Sequence, residues 1–280
     1  MTLRRGLLVV LGLNLLLTLV LCGTLTLGLL SCVSHLEQAD GRRGVARAGE
    51  MVTDHVAQLR ATTGDYARWD DTYAFVADRS AQYIASNYTY QTFRELTLNA
   101  VVILNSRGEV LFARGADLDR QRWAPVPQAL LDHLRPGSTL LDLPNTDTRR
   151  AGLLALPQGS MMVAACPITT SRGTGPIRGA LVMARWVDDT TIKQVAKITQ
   201  AKVSLLLAND PALPHQVRAS APRRNGATAV VKPVSPRAMA GYLLLPDIYG
   251  EPSLVLKAEV PRDMHQRVRS ALGVFLFGLL

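Results

Sequence analysis

GLLVVLGLNLLLTLVLCGTLTLGLLSCVS, residues 6–34, contains no aspartate, glutamate, lysine or arginine and is rich in leucine. The hydrocarbon core of a bilayer is about 30 Å thick, and about 20 apolar residues in a helix are enough to cross it. This stretch is longer, so it is expected to form a tilted transmembrane helix. A helix buried in a protein core would be shorter and would carry a polar stripe. The rest of the chain is therefore expected to lie at a membrane surface.

The charges that flank this stretch predict its orientation. Arg4 and Arg5 precede it without any acidic residue, and such a basic flank favours the cytoplasmic side. Basic residues also follow it, at Arg42, Arg43 and Arg47, but long domains are translocated largely regardless of their charge. We therefore expect a cytoplasmic amino terminus, an anchor in the inner membrane and a bulk that is periplasmic.

A second interpretation of the amino terminus stays open. Leu29-Leu30-Ser31-Cys32 is similar to a bacterial lipobox, in which cleavage before Cys32 would leave a lipid-modified cysteine. The apolar region of a signal peptide usually has about 7–15 residues, and this one is much longer, which favours the transmembrane helix. The alternative product would be a lipid-anchored periplasmic binding protein, and mass spectrometry of the mature amino terminus would separate the two.

The other end of the chain is apolar as well. Residues 271–280, ALGVFLFGLL, contain no polar side chain. This segment is too short to cross a bilayer, which needs about 20 residues. It is interpreted as the start of a second transmembrane helix that the end of the chain truncates, with His265, Arg267 and Arg269 as interfacial anchors. A short helix packed on the soluble part is the alternative.

The composition argues against several kinds of function. The net charge is +9, but the basic residues are scattered rather than interleaved with aromatic residues in a stripe, which argues against nucleic-acid binding. Attraction to anionic lipid headgroups is a milder consequence of the charge. Cys166 is the one cysteine outside the first apolar stretch, which also holds Cys22 and Cys32, so no disulfide is expected within the soluble part. The five histidines lack metal-ligand spacing, and neither a metal nor another cofactor is expected.

Hydrophobic periodicity predicts the secondary structure. Residues 36–60 and 65–84 carry apolar residues at helical spacing, and Asp188 is a plausible cap for a helix over 188–200. A short helix is predicted at 127–134, and strands at 100–104, 109–113, 160–168, 177–187, 201–208, 227–234, 240–245 and 252–260. Pro261 is expected to open a helix toward the membrane. Strand–turn–strand units with few helices between them favour antiparallel sheets with helices packed on one face, which is the α+β class.

An ordered set of short motifs carries a resemblance to a known family. The set consists of DYARWDDTYAF at 65–75, Asn87, Asn99, Pro167-Ile168, Gly179-Ala180-Leu181-Val182, Gly241-Tyr242, DIYGEP at 247–252 and Pro261-Arg262-Asp263. It resembles the type-4 CHASE domain, the cyclase/histidine-kinase-associated sensory extracellular domain of prokaryotic membrane receptors. The resemblance spans about residues 40 to 270.

The resemblance implies a Cache/PAS-like extracytoplasmic sensor between two membrane helices. In such receptors the sensor is linked to a cytoplasmic output domain, namely a diguanylate cyclase, a phosphodiesterase or a histidine kinase. No signature of an output domain occurs in this chain, so it is expected to be a sensor fragment, a truncated protein or a stand-alone partner. The expected partners are the lipid bilayer, an unknown small-molecule ligand, a second copy of the chain through the membrane-proximal helices, and an output domain.

The expected organisation has five parts. They are a cytoplasmic stub and transmembrane helix (1–35), a membrane-proximal helix (36–64), a sensory domain (65–200), a second, smaller strand-rich module (201–263), and a juxtamembrane helix with the truncated start of a second transmembrane helix (264–280). The chain is not expected to be an enzyme, because no Ser-His-Asp or Cys-His arrangement can be recognised. A membrane-anchored enzyme whose site is assembled only by folding is the alternative.

The tryptophan motif provides the candidate ligand site. Aromatic faces and carboxylates suit a cationic or polar ligand, so Trp69, Asp70, Asp71 and Tyr73 are the candidate ligand-binding residues. The alternative is structural: Trp69 and Tyr73 would pack in the core, and one aspartate would accept backbone N–H groups or pair with an arginine. Adjacent helical positions point about 100° apart. The two aspartates are therefore not expected to flank one bond as a catalytic pair.

Candidate signal-coupling residues lie near the other end of the chain. They are Asp247, Gly250, Pro261 and Arg262. Residues 247–250 are interpreted as a hairpin turn rather than a ligand loop, with glycine at a position of positive φ. Strand 252–260 runs directly toward the apolar terminus, which predicts that a ligand changes the tilt or piston position of the following helix. Such a change requires that the ligand bind two arrangements of the domain with different affinities.

Overall fold

The computed structural model describes residues 3–218, 229–264, 266–268 and 270, which form one long helix, two antiparallel sheets and several short helices. The helices are α1 (Leu3–Ala67), α2 (Asp70–Asp78), α3 (Ala81–Asn87), α4 (Tyr90–Glu95), α5 (Gln128–Asp132), α6 (Asp189–Thr199) and α7 (His215–Arg218), with a 3₁₀ turn at Thr139–Leu141. The strands are β1 (Ala100–Asn105), β2 (Val110–Asp117), β3 (Arg122–Ala124), β4 (Arg150–Leu156), β5 (Gly159–Ile168), β6 (Gly179–Trp186), β7 (Lys202–Leu207), β8 (Val230–Ser235), β9 (Ala238–Pro246) and β10 (Pro252–Pro261).

Helix α1 joins the predicted transmembrane segment to the predicted helix at 36–60 without a break, over 65 residues. Within the described ranges it is the one helix long and apolar enough to cross a membrane, and only 6% of its apolar window is buried. A core helix would bury most of that surface. The exposure is the one expected of a helix that faces lipid.

Beyond the apolar segment, α1 packs against both sheets. Its buried apolar positions recur at helical spacing: Val45, Ala48, Val52 and Leu59. Glycines bring the helix backbone close to β9, since a Cβ built on Gly241 would lie 2.6 Å from the carbonyl oxygen of Gly41. A side chain at this position would push the helix off the sheet, which explains why glycine stands in a strand interior.

The larger sheet has six strands in the order β3-β2-β1-β6-β5-β4, and every neighbouring pair is antiparallel. Side chains alternate between its two faces. Cys166 and Met183 belong to the core that α1 covers. Leu130 of α5 and Leu140 of the 3₁₀ turn fill the opposite face with apolar side chains. Both faces of this sheet are therefore covered.

The smaller sheet has four strands in the order β7-β10-β9-β8, again antiparallel. Helix α6 links β6 of the larger sheet to β7 of the smaller one. Asp188 caps α6, because its carboxylate accepts the backbone N–H of Thr191 at 2.8 Å. The predicted α+β class and the predicted cap are both confirmed.

Three sequence-based expectations were wrong. The helix predicted over 65–84 is divided among α1, α2 and α3, because Trp69 is extended and Arg79 has a φ of +57°. Strand β4 falls in a stretch for which no strand was predicted; it lies at the edge of its sheet, and Pro144 and Pro157 near it hid its pattern. Pro261 still belongs to β10, where it pairs with Ala238, and the helix that it was predicted to open begins two residues later, at Asp263. The predicted second membrane helix at 271–280 lies outside the described residues.

Candidate functional site

The tryptophan motif lies at the end of α1 that is farthest from the apolar segment. Trp69 is the N-cap of α2 and has extended backbone angles, so it marks the corner between the two helices. Its indole stacks on Tyr66, with ring centroids 4.1 Å apart. The indole is half-buried. Its stacking closes the corner and fixes the direction in which α2 leaves α1.

The two aspartates of the motif have different surroundings. The carboxylate of Asp70 accepts the backbone N–H of Ser171 at 2.9 Å and the Ser171 hydroxyl at 2.7 Å. These hydrogen bonds, the backbone one first, hold the pKa of Asp70 below its ordinary value. Asp71 is exposed and instead lines a shallow cavity of about 270 Å³ beside α3. The two carboxylates thus point to different places, which is what the helical spacing of Asp70 and Asp71 predicted.

Tyr73 contacts the connection between β5 and β6, the loop that also contains Ser171. The guanidinium carbon of Arg178 lies 3.8 Å from the centroid of the Tyr73 ring, within cation–π range. The same guanidinium donates a hydrogen bond to the Tyr73 carbonyl oxygen at 2.9 Å. Asp70 and Tyr73 therefore bind α2 to the two ends of the connection between β5 and β6.

Beneath α2 lies a hydrogen-bonded aromatic cluster that the sequence analysis did not identify. The Thr72 hydroxyl donates to the Tyr66 carbonyl at 2.7 Å, so it accepts from the Tyr83 hydroxyl at 2.5 Å. The Tyr83 hydroxyl in turn accepts from the hydroxyl of Tyr88 at 3.2 Å. Tyr88 is fully buried, and burial raises its pKa well above the ordinary value. The cluster therefore links α1, α2, α3 and the residue that follows α3 by hydrogen bonds.

The turn between β9 and β10 is built around Asp247. Its carboxylate accepts the backbone N–H groups of Tyr249 and Glu251 at 2.9 and 3.0 Å and the Ser253 hydroxyl at 2.6 Å. Gly250 has a φ of +85°, the left-handed region in which glycine is favoured. These three hydrogen bonds fix the shape of the turn.

This turn docks on the larger sheet. The backbone N–H of Ile248 donates to the carbonyl oxygen of Leu153 in β4 at 2.9 Å. The Tyr249 hydroxyl is hydrogen-bonded to Nδ1 of His133, which follows α5. A residue larger than Gly152 would crowd Ile248, because a Cβ there would lie 3.1 Å from Ile248 Cδ1. The turn is therefore a direct connection between the two sheets.

Pro261 and Arg262 lie at the other end of β10. The Arg262 backbone N–H donates to the carbonyl of Arg237, and its Nε donates to the carboxylate of Glu37 on α1 at 2.8 Å. Both side chains of this ion pair are buried. The pair joins the end of β10 to the part of α1 that follows the apolar segment.

A further cavity, of about 510 Å³, lies at the end of the larger sheet where β6 leads into α6. Sequence reasoning missed it, because its walls come from separate turns between strands. The only signal in the sequence was the recurrence of aspartate at strand ends, at Asp117, Asp119 and Asp188. In the described part of the chain, no group of three or more histidine, cysteine, aspartate or glutamate side chains is placed to hold a metal ion.

Comparison with known proteins gives a consistent assignment. Residues 51–206, more than half of the chain, match the family model described as the CHASE4 domain. The methanogenesis regulatory histidine kinase FilI of Methanothrix harundinacea (strain 6Ac) is 24% identical over 286 residues, covering 100% of this chain and 32% of the relative. The chain thus spans about a third of the length of that relative.

Solved structures share the fold at low identity. The extracellular domain of vpHK1S-Z8, described as a histidine kinase, has a TM-score of 0.55 at 9% identity, covering 85% of this chain and 95% of that one. A domain of a protein assigned to the sensory box/GGDEF family of Vibrio parahaemolyticus has a TM-score of 0.51 at 9% identity, covering 81% and 98%. The periplasmic domain of Vibrio cholerae LuxQ has a TM-score of 0.50 at 13% identity, covering 79% and 99%.

Proposed function

Because the chain belongs to the CHASE4 domain family, the extracellular sensor domains of histidine kinase or GGDEF-type receptors, we propose that it is the sensing part of a receptor in the inner membrane. In this proposal residues 1–35 cross the membrane, residues 36–64 lead away from it, and residues 65–200 form the sensory domain in the periplasm. Residues 201–263 form the second module, and residues 264–280 return the chain to the membrane.

The observation that carries the proposal is the ion pair between Arg262 and Glu37. A receptor of this kind must transmit a change in the domain to its membrane helices, and a domain can do so only through the elements that connect to them. Here the incoming helix and the outgoing strand are joined by a buried ion pair, 2.8 Å long, next to the apolar segment. A movement of β10 relative to α1 would be transmitted through this contact.

We propose a path of transmission that starts at the larger sheet. It passes through the turn at Asp247 and Gly250 into β10, and through Pro261 and Arg262 to the membrane. The hydrogen bond from Ile248 to Leu153 supports the first step, because it joins the turn to β4. The four residues were singled out as coupling residues from sequence, and the path remains a proposal.

The tryptophan motif is proposed to maintain the shape of the sensory domain. Asp70 is already engaged by Ser171, and Tyr73 by Arg178. This supports the structural alternative for both residues. Trp69 stacks on Tyr66, and Asp71 faces a separate cavity. A ligand contact by Trp69 or Asp71 stays a prediction.

The output is proposed to be a histidine kinase region, fused beyond residue 280 and facing the cytoplasm. The histidine kinase FilI, which aligns with the whole of this chain over a third of its own length, supports this choice over a cyclase. A second copy of the chain is the proposed partner, through the membrane-proximal part of α1. The chain itself contributes sensing, and catalysis belongs to the output region.

The test of this proposal needs no ligand. The full chain is fused at residue 280 to the dimerisation and catalytic region of a histidine kinase, and the reporter gene of that kinase is measured. Asp247→Ala is expected to change basal output at least about threefold. The matched control is Asp210→Ala, which removes a similar turn-forming aspartate after β7 and is expected to leave output unchanged.

Topology is tested on the same chain. Alkaline phosphatase inserted in the 142–149 loop is expected to be active, and green fluorescent protein inserted there is expected to be dark. Cytosolic fluorescence would contradict a periplasmic domain. Equal output from the two aspartate variants would contradict transmission through the turn.

A further inference from the structure

The 510 Å³ cavity has the size of a small-molecule site and an unusual wall. Sites for small molecules commonly measure about 300–1,000 Å³. The polar and aromatic residues that line it are Asn99, Asp117, Asp119, Gln158, Ser160, Trp186 and Asp188. It opens at one end of the larger sheet, between the turn after β2, the turn before β5 and the end of β6.

The charge of the wall is opposite to that of the chain. The chain has a net charge of +9. Among the described residues that line the cavity there are three aspartates and neither lysine, arginine nor histidine. A wall of this composition attracts cations and repels anions.

The three aspartates differ in their availability. Asp117 accepts the backbone N–H of Arg120 at 3.0 Å. The guanidinium groups of Arg120 and Arg122 form ion pairs with its carboxylate and offset its charge. Asp188 accepts the N–H of Thr191 with one oxygen, which leaves the other for a further partner. Asp119 is exposed and makes neither a hydrogen bond nor an ion pair with the part of the chain that is described. Asp119 and Asp188 thus have oxygens that a ligand can use.

The aromatic part of the wall is held in place. The backbone N–H of Trp186 donates to Oδ1 of Asn99 at 2.9 Å, and Asn99 Nδ2 donates to the carbonyl of Ala116 at 3.1 Å. A Cβ built on Gly159 would lie 3.8 Å from two ring atoms of Trp186, so the glycine leaves this part of the indole uncovered by a side chain. Indole is the most effective aromatic ring for binding a cation.

We propose that this cavity binds a small organic cation that carries an ammonium group. The ammonium lies against the Trp186 indole, and Asp119 and Asp188 supply the opposite charge. An organic cation is favoured over a metal ion, because within the described ranges no three carboxylate, thiol or imidazole groups converge on one point. The inference rests on the proposed sensor function and names the ligand class of its site.

The position of the cavity gives such a ligand access to both sheets. Trp186 ends β6, and Val187 and Asp188 connect it to α6 and the smaller sheet. The Val187 N–H donates to the Ser160 carbonyl at 2.8 Å, so this connection also contacts the start of β5. A cation that binds more tightly to one arrangement of the connection shifts the population toward that arrangement.

The test measures the binding of methylammonium, putrescine and choline to the full chain by isothermal titration calorimetry. The chain is held in detergent micelles at constant ionic strength. The neutral control is 3,3-dimethyl-1-butanol, which has the shape of choline without the charge. At least one cation is expected to bind saturably, and the neutral alcohol is not. Asp119→Asn is expected to weaken binding at least about tenfold, and Trp186→Phe severalfold.

The matched control variant is Asp210→Asn, which changes the turn-forming aspartate after β7, outside this cavity, and is expected to leave affinity unchanged. Circular dichroism melts confirm that each variant is folded. Three results would overturn the proposal: no saturable binding of any cation, equal binding of the neutral alcohol, or a loss of affinity in Asp210→Asn that Asp119→Asn does not show. The kinase fusion described above uses no added ligand, so failure of cation binding and failure of the sensor function are distinguishable.

Discussion

Arg262 and Glu37 form an ion pair of 2.8 Å although 225 residues separate them in sequence. Their side chains are only 12% and 8% exposed. One is the first residue after β10, and the other lies on α1 just beyond the apolar segment. The end of β10 and the part of α1 that follows the apolar segment are thus joined by opposite charges in a buried environment.

Replacing Glu37 by glutamine should destabilise the domain. The change leaves the buried Arg262 guanidinium without this negative partner, and breaking a buried pair from one side costs about 3–5 kcal/mol. We expect the free energy of unfolding in urea to fall by about 3 kcal/mol. The control is Asp40→Asn, which breaks an exposed pair with Arg43 and should cost less than about 1 kcal/mol. Equal losses in the two variants would contradict this account.

The close approach of α1 and β9 predicts the effect of adding a single methyl group. Gly241→Ala places a Cβ 2.6 Å from the Gly41 carbonyl oxygen, so the helix or the strand must shift. We expect a loss of about 1–3 kcal/mol, as for other overpacked cores, measured by thermal unfolding. Gly44→Ala on the same helix is the control, because its Cβ would meet Val260 at an ordinary 3.4 Å. It should be neutral or stabilising by up to about 1 kcal/mol, since alanine favours helix.

The buried thiol of Cys166 predicts a loss of stability at alkaline pH. Burial raises the pKa of this thiol from 9.0 to about 11. An acid whose pKa is higher in the folded state stabilises that state below its unfolded pKa, and the contribution is lost as the pH rises through the folded value. The free energy of unfolding should therefore fall between about pH 9 and 11, by at most about 1.4 kcal/mol per pH unit from this group.

The comparison that isolates this effect is Cys166→Ala. The variant should lack the part of the alkaline decline that the thiol causes, although the buried tyrosines contribute to the rest. Identical pH profiles for the two proteins would show that the thiol titrates normally. Iodoacetamide should also leave Cys166 unmodified at pH 8 in a Cys22→Ser/Cys32→Ser background until the protein unfolds.

Asp70 predicts an opposite dependence, at acidic pH. Its pKa is lowered by the hydrogen bonds from Ser171, so its contribution is present above the ordinary value of 3.8 and is lost as the pH falls through the lower folded value. Asp70→Asn should speed hydrogen exchange of the Ser171 amide at neutral pH, as measured by mass spectrometry. Asp71→Asn should leave that exchange unchanged, since Asp71 faces a different cavity.

Local pattern was sufficient for much of the fold. Several correct predictions depended only on residues close in sequence. They are the apolar runs of β5, β9 and β10, the cap at Asp188 and the positive φ of Gly250. The break at Trp69 was missed, because the apolar periodicity of 65–84 continues through it. The cavity and the ion pair to Glu37 depend on residues that only the complete topology brings together. No periodicity could have indicated them.

A helix of 65 residues with a rise of 1.5 Å per residue is about 98 Å long. Because α1 forms one wall of both sheets and also passes through the apolar segment, there is no joint at which movement could be absorbed. In the proposed receptor, a small displacement at the Trp69 corner would reach the amino-terminal end of α1 as a shift or rotation of the whole helix. The bending stiffness of α1, rather than a flexible linker, would then determine how much of that displacement is transmitted along the helix.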